Sequence, residues 1–206
     1  MIDCGLDWRG RIARLRPDAV VLTHAHPDHA AGLRDGAPCP VYATVPTWRG
    51  IERYPIAERR FVEPRRPLEV VGMSFEAFSV EHSLRAPAVG YRVTAGRRVI
   101  FYAPDLVSIA GEQEALSAIE LYVGDGAAVR RSIVRRRNGR TIGHASIRLQ
   151  LEWCATAGVR RAVFTHCGSA IVKGDARRIG SAVRELGAQH GVDARIAHDG
   201  LELVIE

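Results

Sequence analysis

The sequence predicts an α/β fold, a two-sheet sandwich with helices on its outer faces, built as one domain over residues 1–206. Short apolar runs rich in β-branched and aromatic residues end abruptly in polar ones, as buried strands do. These runs come in pairs, separated by single segments of helical period, which is the pattern of layered sheets flanked by helices. No internal repeat, low-complexity tract or linker composition divides the chain, and 47% of it is hydrophobic, enough for a sizeable core.

In chain order, residues 20–22 read as a buried strand and 28–33 as the start of a helix. The Pro- and Arg-rich stretch 55–67 reads as an ordered surface loop. Residues 70–73 and 74–81 read as strands, and 89–94 with 98–102 as a hairpin turning at Ala95-Gly96-Arg97. Residues 112–118 form a short helix and 121–123 a buried strand. Within 146–157, Ile147, Leu151, Cys154 and Ala155 fall at helical spacing, and Gly158 closes the segment. Residues 159–165 form a strand, 175–190 a helix, and 195–197 with 201–205 a closing strand pair. His198, ahead of the turn residues Asp199-Gly200, reads as structural.

The formal charge is +6, and the basic side chains are nearly all arginine, with Lys173 the only lysine. Arginine suits bidentate recognition of phosphate and carboxylate, which favours a small anionic partner. The densest run is Arg130-Arg131-Ser132-Ile133-Val134-Arg135-Arg136-Arg137 with Arg140. It reads first as a solvated loop, with Arg135 a candidate phosphate contact. Aromatic residues for base stacking are missing from it, so nucleic acid is not favoured. Nothing resembles a signal peptide or a membrane span. Cys4, Cys39, Cys154 and Cys167 show neither a CxxC pair nor framework spacing, so a reducing, cytoplasmic setting is expected.

Chemistry concentrates where the apolar strands end. After Val20-Val21-Leu22-Thr23, three histidines and an aspartate (His24, His26, Asp28 and His29) fall within six residues. Imidazole and carboxylate are the ligands preferred by zinc and its first-row neighbours. A loop between strand and helix can aim alternate side chains at two neighbouring points, as a pair of metals requires. In 78–83, a period of two puts Phe78, Val80 and His82 on one face, so His82 also ends a strand. Asp105 follows the run 99–103, with Pro104 stopping the ladder before it, and its two oxygens suit a bridge. His166 ends the run 161–165. Four apolar strands thus deliver a ligand at the same end.

Thr23-His24-Ala25-His26-Pro27-Asp28-His29 matches the HxHxDH signature of the metallo-β-lactamase-fold hydrolases, which the chain resembles over nearly its whole length. The resemblance implies a four-layer αββα sandwich of two mixed sheets. It implies that His24, His26 and His82 hold one metal and Asp28, His29 and His166 the other. Asp105 and a hydroxide would bridge the two, and Asp3 would prop the metal loop from behind. The cofactors implied are two divalent ions, zinc first, with manganese or iron as alternatives. The chain is most similar to the phosphodiesterase branch, the tRNase Z-like and cyclic phosphodiesterase-like proteins. His82-Ser83, Gly143-His144-Ala145-Ser146 and Thr165-His166-Cys167-Gly168 carry that likeness. Bridging by Asp105 argues against β-lactam hydrolysis.

Two departures stand out. Pro104-Asp105 replaces the family's Gly-Asp, and Gly124-Asp125-Gly126 competes for the bridge. Asp105 is preferred because it directly follows the hairpin after His82, which leaves Asp125 as a supporting acid. The chain also starts one or two strands later than its relatives do. Either an upstream start was missed or those strands were lost, and the sheet is then expected to have an edge that a second subunit could cover in a homodimer. The expected activity is dinuclear metal-dependent hydrolysis of a phosphodiester or cyclic phosphate. Asp28 would orient the nucleophile and His144 would protonate the leaving alkoxide, unless His144 only caps the helix at Ser146. Ser83 and Arg135 are candidate substrate contacts. A thioester, lactone or amide hydrolase is the alternative, followed by a non-catalytic metal-binding interaction protein.

Overall fold

Alternation along the strands sorts the core into three apolar spaces, and three spaces imply four layers. The computed structural model describes residues 1–205. In the first half, β1 (Val20–Val21), β2 (Val41–Ala43) and β3 (Arg59–Phe61) pair in parallel, and Ile2 bridges to Val21. Helices α1 (Ile12–Leu15), α2 (Pro27–Ala30) and α3 (Val45–Gly50) cover its outer face, where Ile12, Ala30 and Trp48 pack on Val20, Leu22 and Val41. Val21 points the other way, onto Phe75, Tyr91 and Val93 of the larger sheet.

That larger sheet contains β4 (Leu68–Val70), β5 (Met73–Glu81), β6 (Ala88–Ala95), β7 (Arg98–Tyr102), β8 (Ser108–Ile109), β9 (Leu121–Asp125), β12 (Arg161–Thr165) and β13 (Asp193–Ile196). Between β9 and β12 lies a separate antiparallel ribbon, β10 (Ile133–Arg137) and β11 (Arg140–His144). The sheet order is β13-β12-β9-β7-β6-β5-β4, with β8 paired to β5. On β5, Phe75 and Ala77 face the smaller sheet, while Phe78 and Val80 face the opposite way. Helices α4 (Glu112–Ala115), α5 (Ile147–Thr156), α6 (Ser169–Val172) and α7 (Ala176–Gln189) belong to that second face. From them Ala115, Ile147, Leu151, Ile171, Val183 and Leu186 complete the core.

The two long helices are capped by their sequence. Ser146 accepts from Leu149 N and Asp175 from Arg178 N, each cap contributing about 1 kcal/mol. Strands β7, β9 and β12 are mutually parallel, and β5 runs in their direction across the antiparallel β6. Their C-terminal ends therefore share one rim of the sheet. That is where open α/β sheets place their ligands. No helix among the described residues is long and apolar enough to cross a membrane.

The sandwich and its helices agree with the sequence reading, and five local expectations need correction. The smaller sheet is parallel rather than mixed. The stretch 55–67 contains β3, whose exposed Arg-Arg-Phe carries no alternation but pairs with β2. Residues 70–73 are not one strand, because Val71 and Gly72 take φ of 51° and 73° and turn β4 into β5. The arginine run is a hairpin, not a loop. Its turn is Asn138-Gly139, both at positive φ, the pairing that suits a tight two-residue connection. Finally, residues 201–205 alternate half-buried and exposed but form no strand, so β13 ends the sheet.

Candidate metal centre

The strand-end residues converge. His24, His26 and His82 form one group whose ligand atoms lie within 4.8 Å of one another; Asp28, His29, Asp105 and His166 form a second. A third joins Asp105, Asp125, His144 and His166 within the same limit. Asp105 and His166 are common to the second and third, and Asp105 also reaches toward the first. Its Oδ2 lies 3.5 Å from His24 Nε2, 2.7 Å from His29 Nε2 and 3.9 Å from His82 Nε2. Its Oδ1 lies 2.9 Å from His166 Nδ1 and 3.3 Å from His144 Nδ1. Five imidazoles thus surround one buried carboxylate.

Local structure aims these groups. Pro27 opens α2 with its fixed φ, so that His26 stands just outside the helix, Asp28 is exposed and His29 is buried. Gly5 lets the segment 1–5 lie against this loop, since a Cβ there would fall 2.0 Å from the Asp28 carbonyl oxygen. Asp3 and His166 are held at φ of 57° and 51°. That left-handed region costs most residues about 1–2 kcal/mol, so the surrounding contacts must hold His166 there.

Each inner histidine commits one nitrogen outward. His29 Nδ1 donates to Asp3 Oδ2 at 2.8 Å, and His82 Nδ1 donates to the Gly143 carbonyl at 3.0 Å. The Thr23 hydroxyl donates to Asp3 and accepts from His24 Nδ1 at 3.0 Å. With Nδ1 engaged in these bonds, the Nε2 atoms of His24, His29 and His82 are the ones that face inward. Three nitrogens then meet: His26 Nδ1 is 3.0 Å from His24 Nε2 and 3.2 Å from His82 Nε2. Nitrogens held about 2.0–2.1 Å from a tetrahedral cation would be roughly 3.3 Å apart. His29 Nε2, Asp105 Oδ1 and His166 Nδ1 are buried without a hydrogen-bond partner. Converging, unsatisfied lone pairs of imidazole and carboxylate are the donor set a divalent cation takes, so the residues fit the group.

The electrostatics agree. Burial, helped by His29, pushes His24 down to about 2 and keeps it neutral, the form that binds a metal. Burial opposes protonation of His29 and His166, but the carboxylates facing them outweigh it. Asp105, Asp28 and Asp3 push His29 up to about 12, and Asp105 and Asp28 push His166 up to about 9. Asp105 is held well below the usual carboxylate range, because His144, His166 and His29 outweigh the cost of its burial. Without a cation, the cluster balances its carboxylates with protons.

Asp125 occupies a different position from Asp105. It is fully buried at the end of β9 and accepts from Leu106 N, Ala127 N and His144 Nδ1 at 3.1, 2.8 and 2.8 Å. Among the histidines it touches His144 alone. His144 does not cap α5, since Ser146 does. It lines a cleft of about 510 Å³ with His26, His82, Ser83, Arg135 and His166. On the opposite side, Asp28, His29 and His166 open into a broader groove of about 920 Å³, whose walls include Trp8 and His198. The expectation that His198 sits inside a strand pair is therefore corrected: it is an exposed wall residue.

Sequence reasoning missed four contributors. Thr23 ties Asp3 to His24. Gln150 accepts from Tyr122 Oη and Asp125 N and donates to the carbonyls of Asp125 and Ala145, locking the end of β9. It was visible as the one amide on the apolar stripe of α5. Ile133 and Ile142 line the cleft, and Asn138-Gly139 was the signal for their hairpin.

The profile of the beta-lactamase superfamily domain matches residues 1–167, and the chain belongs to this family. No curated protein sequence matches it. Zinc-bound PqqB from Methylobacterium extorquens is similar in structure, with 20% identity and a TM-score of 0.74, covering 99% of this chain and 82% of that one. The metallo-β-lactamase fold protein YhfI from Bacillus subtilis is 17% identical, with a TM-score of 0.72 over 97% and 84% of the two chains. A diphosphatase of the PhnP family is 21% identical, with a TM-score of 0.67 over 100% and 79%. The protein is a metallo-β-lactamase-fold metal-dependent hydrolase with a candidate metal site of histidines and aspartates.

Proposed function

We propose that the protein is a dinuclear metal-dependent phosphodiesterase acting on a small anionic phosphodiester or cyclic phosphate. The observation that carries this reading is His144. Asp125 and Asp105 engage its Nδ1, which leaves Nε2 uncommitted on a cleft that Arg135 also lines. In this reading His24, His26 and His82 would hold one cation and Asp28, His29 and His166 a second, with Asp105 available to both; zinc is the first choice. When bound, the pair lowers the pKa of water and neutralises charge on the phosphoryl oxygens.

The side chains supply the rest. Asp28 is exposed at the mouth, with Oδ2 3.1 Å from His166 Nε2, and its second oxygen can orient the attacking water. His144 gives its Nε2 proton to the departing alkoxide, which is too basic to leave unprotonated. Asp105 and Asp125 raise its pKa above that of an ordinary imidazole, which favours the protonated acid. Ser83 Oγ accepts from Ala86 N, and its O–H is free for a phosphoryl oxygen. A thiolate leaves without a proton, so a held acid favours an oxygen leaving group. The PhnP-family diphosphatase of similar fold supports phosphate chemistry by its name.

The test is a comparison of bis(p-nitrophenyl) phosphate, a thioester, a lactone and nitrocefin after metal loading. The diester is expected to turn over fastest, and chelation to abolish it. Preference for the thioester or lactone overturns the reading in favour of carbonyl hydrolysis. Bound metals without turnover of any substrate point to a non-catalytic metal-binding protein.

A further inference from the structure

We propose that the β10–β11 hairpin reads a second phosphate on the substrate, about 7–13 Å from the scissile bond and beyond an apolar or flat spacer. This rests on the phosphodiesterase reading and adds the substrate class.

Register defines the reading face. Ile133 pairs with His144, Arg135 with Ile142 and Arg137 with Arg140. Paired residues share a face, and so do residues two apart along a strand. His144, Ile133, Ile142, Arg135, Arg137 and Arg140 therefore form one stripe. It begins at the metal centre, crosses two isoleucines and ends in guanidinium groups. At about 3.3 Å per residue, the Arg135 rung lies roughly 7 Å from the His144 rung and the Arg137–Arg140 rung about 13 Å. Gly143 allows the close pairing nearest the site: it holds φ at +127°, and a Cβ there would fall 1.9 Å from the Ile133 carbonyl oxygen.

The space beside this stripe is shaped for a ligand. The cleft at the metal centre adjoins a second pocket of about 520 Å³, lined by Ser83, Leu84, Arg85, Asn138 and the arginines 135–137. Ser83, Arg135 and Ile142 line both. A substrate seated at the metals and extended along the ribbon passes from one to the other.

Charge identifies what fits there. Some arginines elsewhere are neutralised at home, Arg9 by Asp35, Arg65 by Glu114, Arg98 by Glu120 and Arg148 by Glu152, and others such as Arg14, Arg49 and Arg177 make no ion pair; what sets the ribbon apart is that its arginines gather on one pocket. The segment from Ala127 to His144 holds no acidic residue. Arg85, Arg135, Arg136, Arg137 and Arg140 make no ion pair among the described residues. Unpaired guanidinium groups on a pocket wall match phosphate in charge and fork geometry. The isoleucines match a sugar or ring face between the two phosphates. A nucleic-acid strand is disfavoured because the ribbon carries no aromatic platform.

Two esters test this: thymidine 5′-(p-nitrophenyl phosphate) with and without a 3′-phosphate. Charge-assisted hydrogen bonds of this kind correspond to roughly ten- to hundredfold in affinity. The wild-type protein is expected to prefer the 3′-phosphorylated ester by about that factor in kcat/KM. In Arg135→Ala/Arg137→Ala, the preference falls to near one, through a higher KM for the phosphorylated ester. No preference in the wild type, or one that survives in the variant, overturns the proposal. If neither ester is hydrolysed, the parent reading fails separately, and calorimetry of the metal-loaded proteins decides the arm. Tighter binding of thymidine 3′,5′-bisphosphate than of the 5′-monophosphate, lost in the variant, supports it. Equal binding of the two overturns it. Unchanged melting of the variant excludes a folding defect, and Arg135→Lys/Arg137→Lys, which keeps the charge, should retain part of the preference.

Discussion

On one side of the cleft the chemistry-bearing side chains are tied from behind, while on the other they are held only by a ribbon. Asp3, Thr23, Asp125 and Gln150 are buried, and each fixes a neighbour of the cluster through hydrogen bonds of 2.7–3.2 Å. By contrast, every residue of β10 is exposed, and its arginines have no ionic partner. A metal site needs ligands placed to within tenths of an ångström, which buried networks provide. Substrate discrimination needs reach and complementary charge, which an exposed hairpin provides. The fold thus separates a buried, hydrogen-bonded centre from an exposed rim, the kind of division by which one fold serves many substrates.

The comparison can be broken at several points. The largest effect is expected at His144, where the two sides meet. His144→Gln should lower kcat on an alkyl-leaving diester by roughly 10²–10⁴, the usual range for a general acid, with metal content unchanged. p-Nitrophenolate needs little protonation, so its esters should suffer far less. Equal losses on both would make His144 structural. Next, Asp3→Asn weakens the bond that aligns His29. Metal affinity should fall by about 10–100-fold, as is common for such supporting carboxylates, read by competition with a chromophoric chelator. Unchanged affinity would mean that the buried side is not tied together as described.

Smaller effects sharpen the contrast. Gln150→Leu leaves Tyr122 Oη and Asp125 N unpaired, at about 2 kcal/mol, which lowers Tm by roughly 4–8 °C. An exposed change on the ribbon, Arg136→Ala, should shift Tm far less. Metal uptake should also release protons. His29 and His166 are raised to about 12 and 9, above the ordinary 6.5, so the metal-free protein holds protons at pH 7.5 that ligand imidazoles must lose. Their contribution to metal-free stability is complete below about pH 6.5 and is lost as pH rises through 9 and beyond. Apparent metal affinity should therefore rise with pH. Calorimetry in buffers of different ionisation heat reads the release, and a heat independent of buffer would contradict it.

The buried side was legible in the sequence because hydrophobicity announces strands and ligands end them. His24, His26, His29, His82, Asp105 and His166 could all be placed from the polar residues at the close of each apolar run. Asp105 and Asp125 both stand at such a close, and chain order preferred the residue that now lies at the centre of five histidines. Gln150 was harder, since one amide on the stripe of Ile147, Leu151 and Cys154 looks like a defect until its partners are known. The rim was less legible. Arginines in β10 leave no alternation to mark a strand, and only Asn138-Gly139 signals the turn. At 201–205 the alternation is present without a ladder, because pairing depends on a neighbour that the pattern does not encode.

The most direct measurement is the metal content and diesterase activity of Asp105→Ala beside the wild-type protein. The wild type should bind two cations per chain, and the variant one or none. Activity should fall by about 10³-fold or more, the equivalent of the several kcal/mol that a metal pair supplies. Two cations retained with activity intact would contradict the account, and would move the bridge to Asp125 or to another residue.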